Sequence, residues 1–527
     1  MPYTDASHLR IVRDNAEAPP ATEQYRYYAT KSQAREYLTE AFGDEILEDA
    51  RERLWRRRRE FSARKRLTWP QSAAACLAAV ALAWGFAIEP AATTVAVNLV
   101  LISVFIPVIG FRLLALAHFL SRGPRHRPAR RESAESGALR RLMRIDEADL
   151  PPYTILAPLY KEREMLGQLI SALDALDYPH DRLDIKIIVE ADDVETLGAL
   201  ASFDLDARYH IVKTPPSSPR TKPKALNYAL AFAEGDFVTI YDAEDVPAPD
   251  QLKTVAAYFA RCASNIVCVQ ARLGVYNARE RWLTRQFAME YAVHFNLFLP
   301  ALERIGWPIP LGGTSNHFRV SALEALDAWD PYNVTEDADL GVRLSVFGYK
   351  SGVVDSETAE EAPESLAIWT RQRARWIKGF IQTLIVFSRQ PVARLEKPGL
   401  WRMAGVFVFL GGAVMTAFVY PLIVAAWFVG VFFEIPELNP FTGGRLAAIN
   451  LAVFSGGLTA SAGACVAVAW RSGLSALGAR NWRQLAAMLA TLPLYRFWTA
   501  LAGMLALWDL LRRPSHWRKT PHKPRAR

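Results

Sequence analysis

The sequence predicts a membrane protein whose water-facing α/β domain, built on a largely parallel sheet, lies between apolar helices. Three observations carry this. Hydrophobic residues make up 51% of the 527 positions and charged ones 22%, yet the two are segregated: stretches at 72–111, 403–433, 446–470 and 483–510 hold almost no charge, as bilayer crossings require. Strand-like and helix-like runs alternate between 151 and 390, the pattern of an α/β sheet. The net charge of +8, from 62 basic and 54 acidic residues, concentrates beside the apolar stretches, at Arg56 to Arg59, Arg64 to Arg66, Arg122 to Arg131 and Arg512 to Arg527. Such flanks mark the cytoplasmic side and attract anionic lipid, so a bilayer is the expected partner and nucleic acid is not. This composition excludes a disordered chain, a disulfide scaffold and a purely soluble protein. Cys76, Cys262, Cys268 and Cys465 are scattered without metal-ligand spacing, which argues against structural zinc and for a reducing compartment.

Residues 1–71 read as a cytosolic region, polar over 1–28 and helical over 30–68, with an apolar stripe at Tyr37, Leu38, Phe42, Ile46, Leu47 and Leu54. Residues 72–120 read as a hairpin of two spans, Ser72–Ile88 and Thr93–Gly110, the second reaching Leu120 if Arg112 lies at the interface. The link between them has no Lys or Arg, which places both ends, and hence 121–390, in the cytoplasm. Within that domain Tyr153–Pro158, Ile185–Glu190, Tyr209–Lys213, Phe237–Tyr241 and Ile266–Gln270 read as strands. Glu164–Leu176, Lys224–Ala233, Gln251–Ala260 and Trp282–Phe298 read as helices. The region 391–511 offers spans at Met403–Phe433 and Leu446–Trp470, separated by an acidic link at Glu434 and Glu437. Leu485–Leu511 is interrupted by Pro493 and Arg496 and reads as a re-entrant or interfacial segment, which leaves the basic tail 512–527 in the cytosol; the alternative is a third span, which would put the tail outside.

Ligands bind at the carboxyl ends of parallel strands, and several strands here end in acids. The first gives Tyr160 and Glu162, the second Glu190, Asp192 and Asp193, the fourth Asp242, Glu244 and Asp245. Clustered carboxylates repel unless a cation sits among them, and hard oxygen donors select magnesium or manganese completed by phosphate oxygens. Lys222 and Lys224 precede a helix where phosphate could be received. Gly312 and Gly313 allow close approach to a ligand. Thr335-Glu336-Asp337 reads as a helix start with Thr335 as its cap. Gln372, Arg373, Arg375 and Trp376 read either as an interfacial helix face or as a ligand-binding cluster.

The series TILAPLYKERE, IIVEADD, TKPKALN, IYDAEDVP, LGGTSNHF, VTEDADL and QRARW resembles the membrane-integrated family 2 glycosyltransferases, which include bacterial cellulose synthase, hyaluronan synthase and related β-glucan synthases. The resemblance spans roughly 150 to 390 and implies a GT-A fold, a nucleotide-sugar donor (a UDP-sugar, glucose first and N-acetylglucosamine second) and Mg2+ or Mn2+. By motif position it puts Tyr160, Glu162, Glu190 and Asp192 around the nucleoside, and Lys222 and Asp242 at the diphosphate. Gln372, Arg373 and Arg375 would also contact the donor. Asp242 and Glu244 would hold the metal, Gly313, Thr314, Glu336 and Trp376 would face the acceptor, and Asp337 would be the catalytic base. The chain departs from the family pattern at Glu244 followed by Asp245, either of which could be the second metal ligand, at EADD, and at Lys161 where asparagine is common.

These residues suit an inverting displacement. A metal with Lys222 and an arginine would stabilise the departing diphosphate, while Asp337 would take the acceptor proton as it attacks from the opposite face. The expected product is a β-linked glycan, elongated and passed across the inner membrane. The alternatives are single transfer to a lipid or lipid-linked acceptor, and a non-catalytic scaffold or transporter. Separate regulatory or export subunits are compatible with either enzyme.

Overall fold

The computed structural model describes residues 9–11, 26–28, 31–121, 146–389, 399–434 and 444–516. The basic run 122–131, Glu437, most of the polar stretch 1–28 and the tail beyond 516 lie outside the described residues.

The centre of the molecule is an eight-stranded sheet. Its strands are β1 Tyr153–Leu159, β2 Leu183–Glu190, β3 Tyr209–Thr214, β4 Phe237–Ile240, β5 Val246–Pro247, β6 Ile266–Val275, β7 Asn316–Arg319 and β8 Lys350–Glu360. They run in the order β3-β2-β1-β4-β7-β6-β8-β5. The first four are mutually parallel. Alternate residues face opposite layers, so Leu156 and Ile188 join one core while Ile155, Ile185 and Ile187 join the other. The sheet is mixed: four of its seven pairings are parallel, β6 with β8 among them, and three are antiparallel. Strand β7 runs antiparallel to both β4 and β6, and β5 antiparallel to β8. The short sequence Asn-His-Phe-Arg carries no apolar run, and β8, though parallel to β6, alternates buried and open positions, so neither shows the continuous hydrophobic stretch of a strand buried on both faces.

The helices needed for the site are α1 Lys31–Arg57, α2 Trp69–Ile88, α3 Pro90–Ser121, α4 Lys222–Leu230, α5 Trp282–Val293, α6 Glu336–Val346, α7 Leu366–Phe387, α8 Gly399–Phe432, α9 Gly444–Ser472, α10 Trp482–Ala490 and α11 Leu492–Arg512. Helix α1 stops short of the expected residue 68. There Arg57 and Arg58 reach Asp327 (3.2 and 2.7 Å), the Ala63 N–H donates to Asp330 Oδ2 (2.5 Å), and upstream Asn227 Nδ2 donates to the Ala50 carbonyl (3.0 Å). These bonds fasten α1 to the sheet domain. Among the described residues α2, α3, α8 and α9 are long and apolar enough to cross a bilayer, and a fifth span results if the pair Leu474–Ala490 and α11, bent by 51°, counts as one. Pro493 at the start of α11 lacks the N–H that would continue the preceding helix. Two π-turns, His294–Phe298 after α5 and Phe407–Gly411 within α8, both border the cavity described next.

Candidate active site

A cavity of about 600 Å³ begins at the carboxyl ends of β1, β2 and β4 and continues between α3, α8, α9 and α11. Tyr160, Glu162, Glu190, Lys222, Asp242, Glu244, Gly313, Thr314, Glu336, Asp337, Gln372, Arg373, Arg375 and Trp376 all line it. Asp192 does not. It pairs instead with Arg220 (2.7 Å), whose guanidinium sits 5.8 Å from the centre of the Tyr160 ring and faces the cavity in its place. Arg220 was not legible from pattern, since it lies in a Pro- and Ser-rich loop without periodicity. Lys161 has φ of 55°, a left-handed conformation that asparagine adopts more readily than lysine, and its N–H donates to Asp193 Oδ2 (2.6 Å). Burial raises the Glu190 carboxyl above its ordinary range, against the pull of Lys224, whose Nζ lies 2.7 Å away.

Lys222 opens α4 and bonds to Asp242 Oδ1 and the Gly313 carbonyl, the latter at 2.8 Å. Burial would lower its pKa, but Asp242, Glu336 and Asp337 outweigh burial and hold the ammonium above the usual lysine value. Asp245 lies fully buried beneath this turn. Its Oδ2 accepts the Asp242 N–H (2.6 Å) and the Thr314 hydroxyl, and burial followed by the neighbouring acids Asp242, Glu244 and Glu360 lifts it well above the carboxylate range. Asp245 therefore shapes the turn, and Glu244 faces the cavity. Glu360 and Glu361, at the end of β8, line the cavity as well; pattern reading missed them with the strand. This excess of hard oxygen donors fits Mg2+ or Mn2+. A separate grouping of ligand atoms, Asp184, His210 and Glu234, lies near the amino ends of β2 and β3. There Lys186 Nζ stands 2.7 Å from Asp184 Oδ1, so an ammonium already supplies the positive charge.

Across the cavity, burial and then the Asp337 charge push Glu336 up to about 7. Asp337 is also raised, by burial, against the Ala338 N–H (2.8 Å), Lys222 and Arg375. A Cβ at Gly313 would lie 3.5 Å from Asp337 Oδ2 and 3.9 Å from Lys222 Nζ, so the glycine keeps this corner narrow but open. Thr335 occupies the cap position of α6 without capping. Its hydroxyl turns to Asn333 Oδ1 (3.4 Å), and α7 packs closely on it at Gly379, where an added Cβ would stand 2.1 Å from Thr335 Oγ1. Trp376, half-buried on α7, rests on Tyr291 (6.2 Å between centroids, 29° between planes) and Phe287 (6.0 Å). Beside it the buried Gln372 Oε1 has no hydrogen-bond partner among the described residues. Arg375 Nη1 donates to the Val334 carbonyl (3.4 Å). Arg373, expected at the donor, turns instead to Glu290 and the Tyr495 hydroxyl.

The model described as "Glycosyltransferase like family 2" matches residues 151–379. The chain is 29% identical over 255 residues to a Bacillus subtilis protein named as a probable glycosyltransferase, covering 46% of this chain and 58% of that one. It is 28% identical over 289 residues to a beta-monoglucosyldiacylglycerol synthase of Synechocystis (53% and 58%). It is 27% identical over 299 residues to a probable glucomannan 4-beta-mannosyltransferase of Oryza sativa (55% and 54%). The chain thus spans a little over half the length of these relatives. Among solved structures it is similar to a mannosyltransferase from Pyrobaculum calidifontis in complex with GDP-Man and Mn2+, at 19% identity, covering 78% of this chain and 99% of that one, with a TM-score of 0.41. Residues 151–379, which carry the mixed sheet and the acid-lined cavity, are thus the part of the chain that is similar to the family 2 glycosyltransferases.

Proposed function

We propose that this protein is an inverting hexosyltransferase that moves a sugar from a nucleotide diphosphate-sugar, UDP-glucose first, onto a growing β-linked glycan at the cytoplasmic face of a membrane. The observation that carries the reading is the single cavity joining Lys222, Asp242 and Asp337 to Trp376 and to the apolar helices beyond. Tyr160, Glu162, Glu190 and Arg220 hold the nucleoside end, and Lys222 with Arg375 meets the diphosphate. Asp242 and Glu244 would hold a divalent ion, which supplies charge neutralisation of the leaving diphosphate. Asp337, across the narrow corner at Gly313, removes the proton of the acceptor hydroxyl. Attack opposite the departing phosphate inverts the anomeric centre, so an α-linked donor yields a β-linked product. The acceptor ring lies on the Trp376 face, and its hydroxyl donates to the unpartnered Gln372 Oε1.

In this reading α2, α3, α8 and α9 cross the bilayer and the bent pair re-enters it, which keeps 121–390 and the tail cytosolic and lets the glycan leave along the cavity. A second reading, single transfer to a lipid hydroxyl, is favoured by one feature, the apolar wall of Val108, Phe111, Phe298 and Phe409 in the membrane arm. Purified protein in nanodiscs, given labelled nucleotide-sugars with Mn2+ or Mg2+, tests both. Chains of many β-linked residues support elongation, a lipid bearing one sugar supports the second reading, and no transfer from any donor refutes both.

A further inference from the structure

The QRARW helix carries two arginines, and the structure uses them differently. Arg375 stays beside Asp337. Arg373 is committed to a partly buried network joining three separate elements, in which the Glu290 side chain is 27% exposed and lines the cavity. Its Nη2 lies 2.5 Å from Glu290 Oε2 on α5 and 3.2 Å from the Tyr495 hydroxyl on α11. Tyr495 in turn donates to Glu290 Oε2 (2.7 Å) and accepts from Trp369 Nε1 (3.2 Å). Burial would raise the Glu290 carboxyl, but Arg373, Arg496 and the Tyr495 hydroxyl hold it below the ordinary value, so it stays ionised. The guanidinium carbon lies 4.4 Å from the centre of the Trp376 ring and 5.1 Å from that of Phe287.

We infer that Glu290 and Tyr495 are positioning residues, which fix Arg373 beneath Trp376 and thereby set the tilt of the acceptor platform; this rests on the reading of Trp376 as that platform. A planar cation held against an aromatic face, and fixed by a charge-assisted bond, restrains the ring in a way that packing alone does not. The same helix α5 also grips the break between α10 and α11. Trp282 Nε1 and Gln286 Nε2 both donate to Thr491 Oγ1 (2.9 and 3.0 Å), and Gln286 Nε2 reaches the Met488 carbonyl (2.8 Å). Tyr495 stands one turn beyond that break. The membrane-side helix pair and the sugar platform are therefore tied to one ruler, and a shift of α11 is transmitted through Tyr495 and Arg373 to Trp376.

The test uses the full chain in nanodiscs with 5-fluorotryptophan, the Trp376 signal being assigned by its loss in Trp376→Phe. Glu290→Gln and Tyr495→Phe keep the shape of each side chain and should each shift or broaden the Trp376 fluorine signal, with Glu290→Asp moving it less than Glu290→Gln. In parallel, affinity for UDP with MnCl2 should stay within about twofold, whereas loss of a charged bond at the diphosphate would weaken it by roughly tenfold or more. A Trp376 signal unmoved in both variants overturns the inference, and so does a tenfold loss of UDP affinity, which would return Arg373 to the donor. The fluorine measurement needs no turnover, so it decides the matter even if the transferase reading fails.

Discussion

Gly379 offers a quantitative test of how the two halves of the site are held together. It lies on α7, three residues after Trp376, and faces the start of α6, two residues before Asp337. A Cβ added there would stand 2.1 Å from Thr335 Oγ1, 2.5 Å from Cγ2 and 2.7 Å from Cβ. Rotating the threonine relieves the first two contacts but not the third, because the Cβ is fixed to the backbone. Ordinary carbon contacts begin near 3.5 Å, so the helices must part by about 1 Å. Overpacking of this kind costs about 1–3 kcal/mol, and a misplacement of about 1 Å between reacting groups costs about a hundredfold in rate. Gly379→Ala should therefore lower both the melting temperature and the transfer rate, the latter by about two orders of magnitude. Gly167→Ala, with open space around its new methyl, is the matched control and should leave both near the parent. The reasoning is refuted if Gly379→Ala melts with the parent and transfers within twofold of it.

Further predictions concern the charged groups. In the proposed mechanism Asp337 acts as a carboxylate, and burial raises its pKa, so the acid limb of kcat/KM should lie above the ordinary aspartate range. Glu336, pushed up to about 7 by burial and the Asp337 charge, is still neutral while Asp337 ionises, so Glu336→Gln should leave that limb in place; a parent limb near pH 4 would contradict the geometry. Lys222→Met should weaken UDP binding by roughly tenfold to a hundredfold, since it removes a charge-assisted partner in a buried site, as read by calorimetry. Asp245→Ala leaves the Asp242 N–H without its acceptor and the Thr314 hydroxyl with the Ile240 carbonyl alone, and should lower Mn2+ affinity by roughly tenfold or more, measured by metal titration in the presence of UDP.

Much of the sheet domain was readable because buried parallel strands announce themselves as apolar runs. Ile185 to Val189 is such a run, and the polar residues that follow β1, β2 and β4 do converge on one cavity. What escaped reading depended on partners distant in sequence. β7 is four residues with three polar letters, and its strand character comes from the edges of β4 and β6. Thr335 occupies a cap position by pattern, yet its hydroxyl turns to Asn333 where α7 packs on it at Gly379. Arg373 and Arg375 offer the same charge in QRARW, and their partners separate them: Glu290 and Tyr495, 83 and 122 residues from Arg373, and Val334, 41 residues from Arg375. Asp192 and Asp245 are acids in acidic clusters, but one is drawn off by Arg220 and the other is buried under the Asp242 turn.

The central claim is that Asp337 deprotonates the acceptor while Lys222, Asp242 and Glu244 hold the donor diphosphate. Asp337→Asn separates these roles, since it keeps the side-chain shape and removes only the base. With UDP and Mn2+ it should bind within a few-fold of the parent, while transfer from the labelled nucleotide-sugar falls by about 10²–10⁴-fold. Transfer within tenfold of the parent would contradict the account.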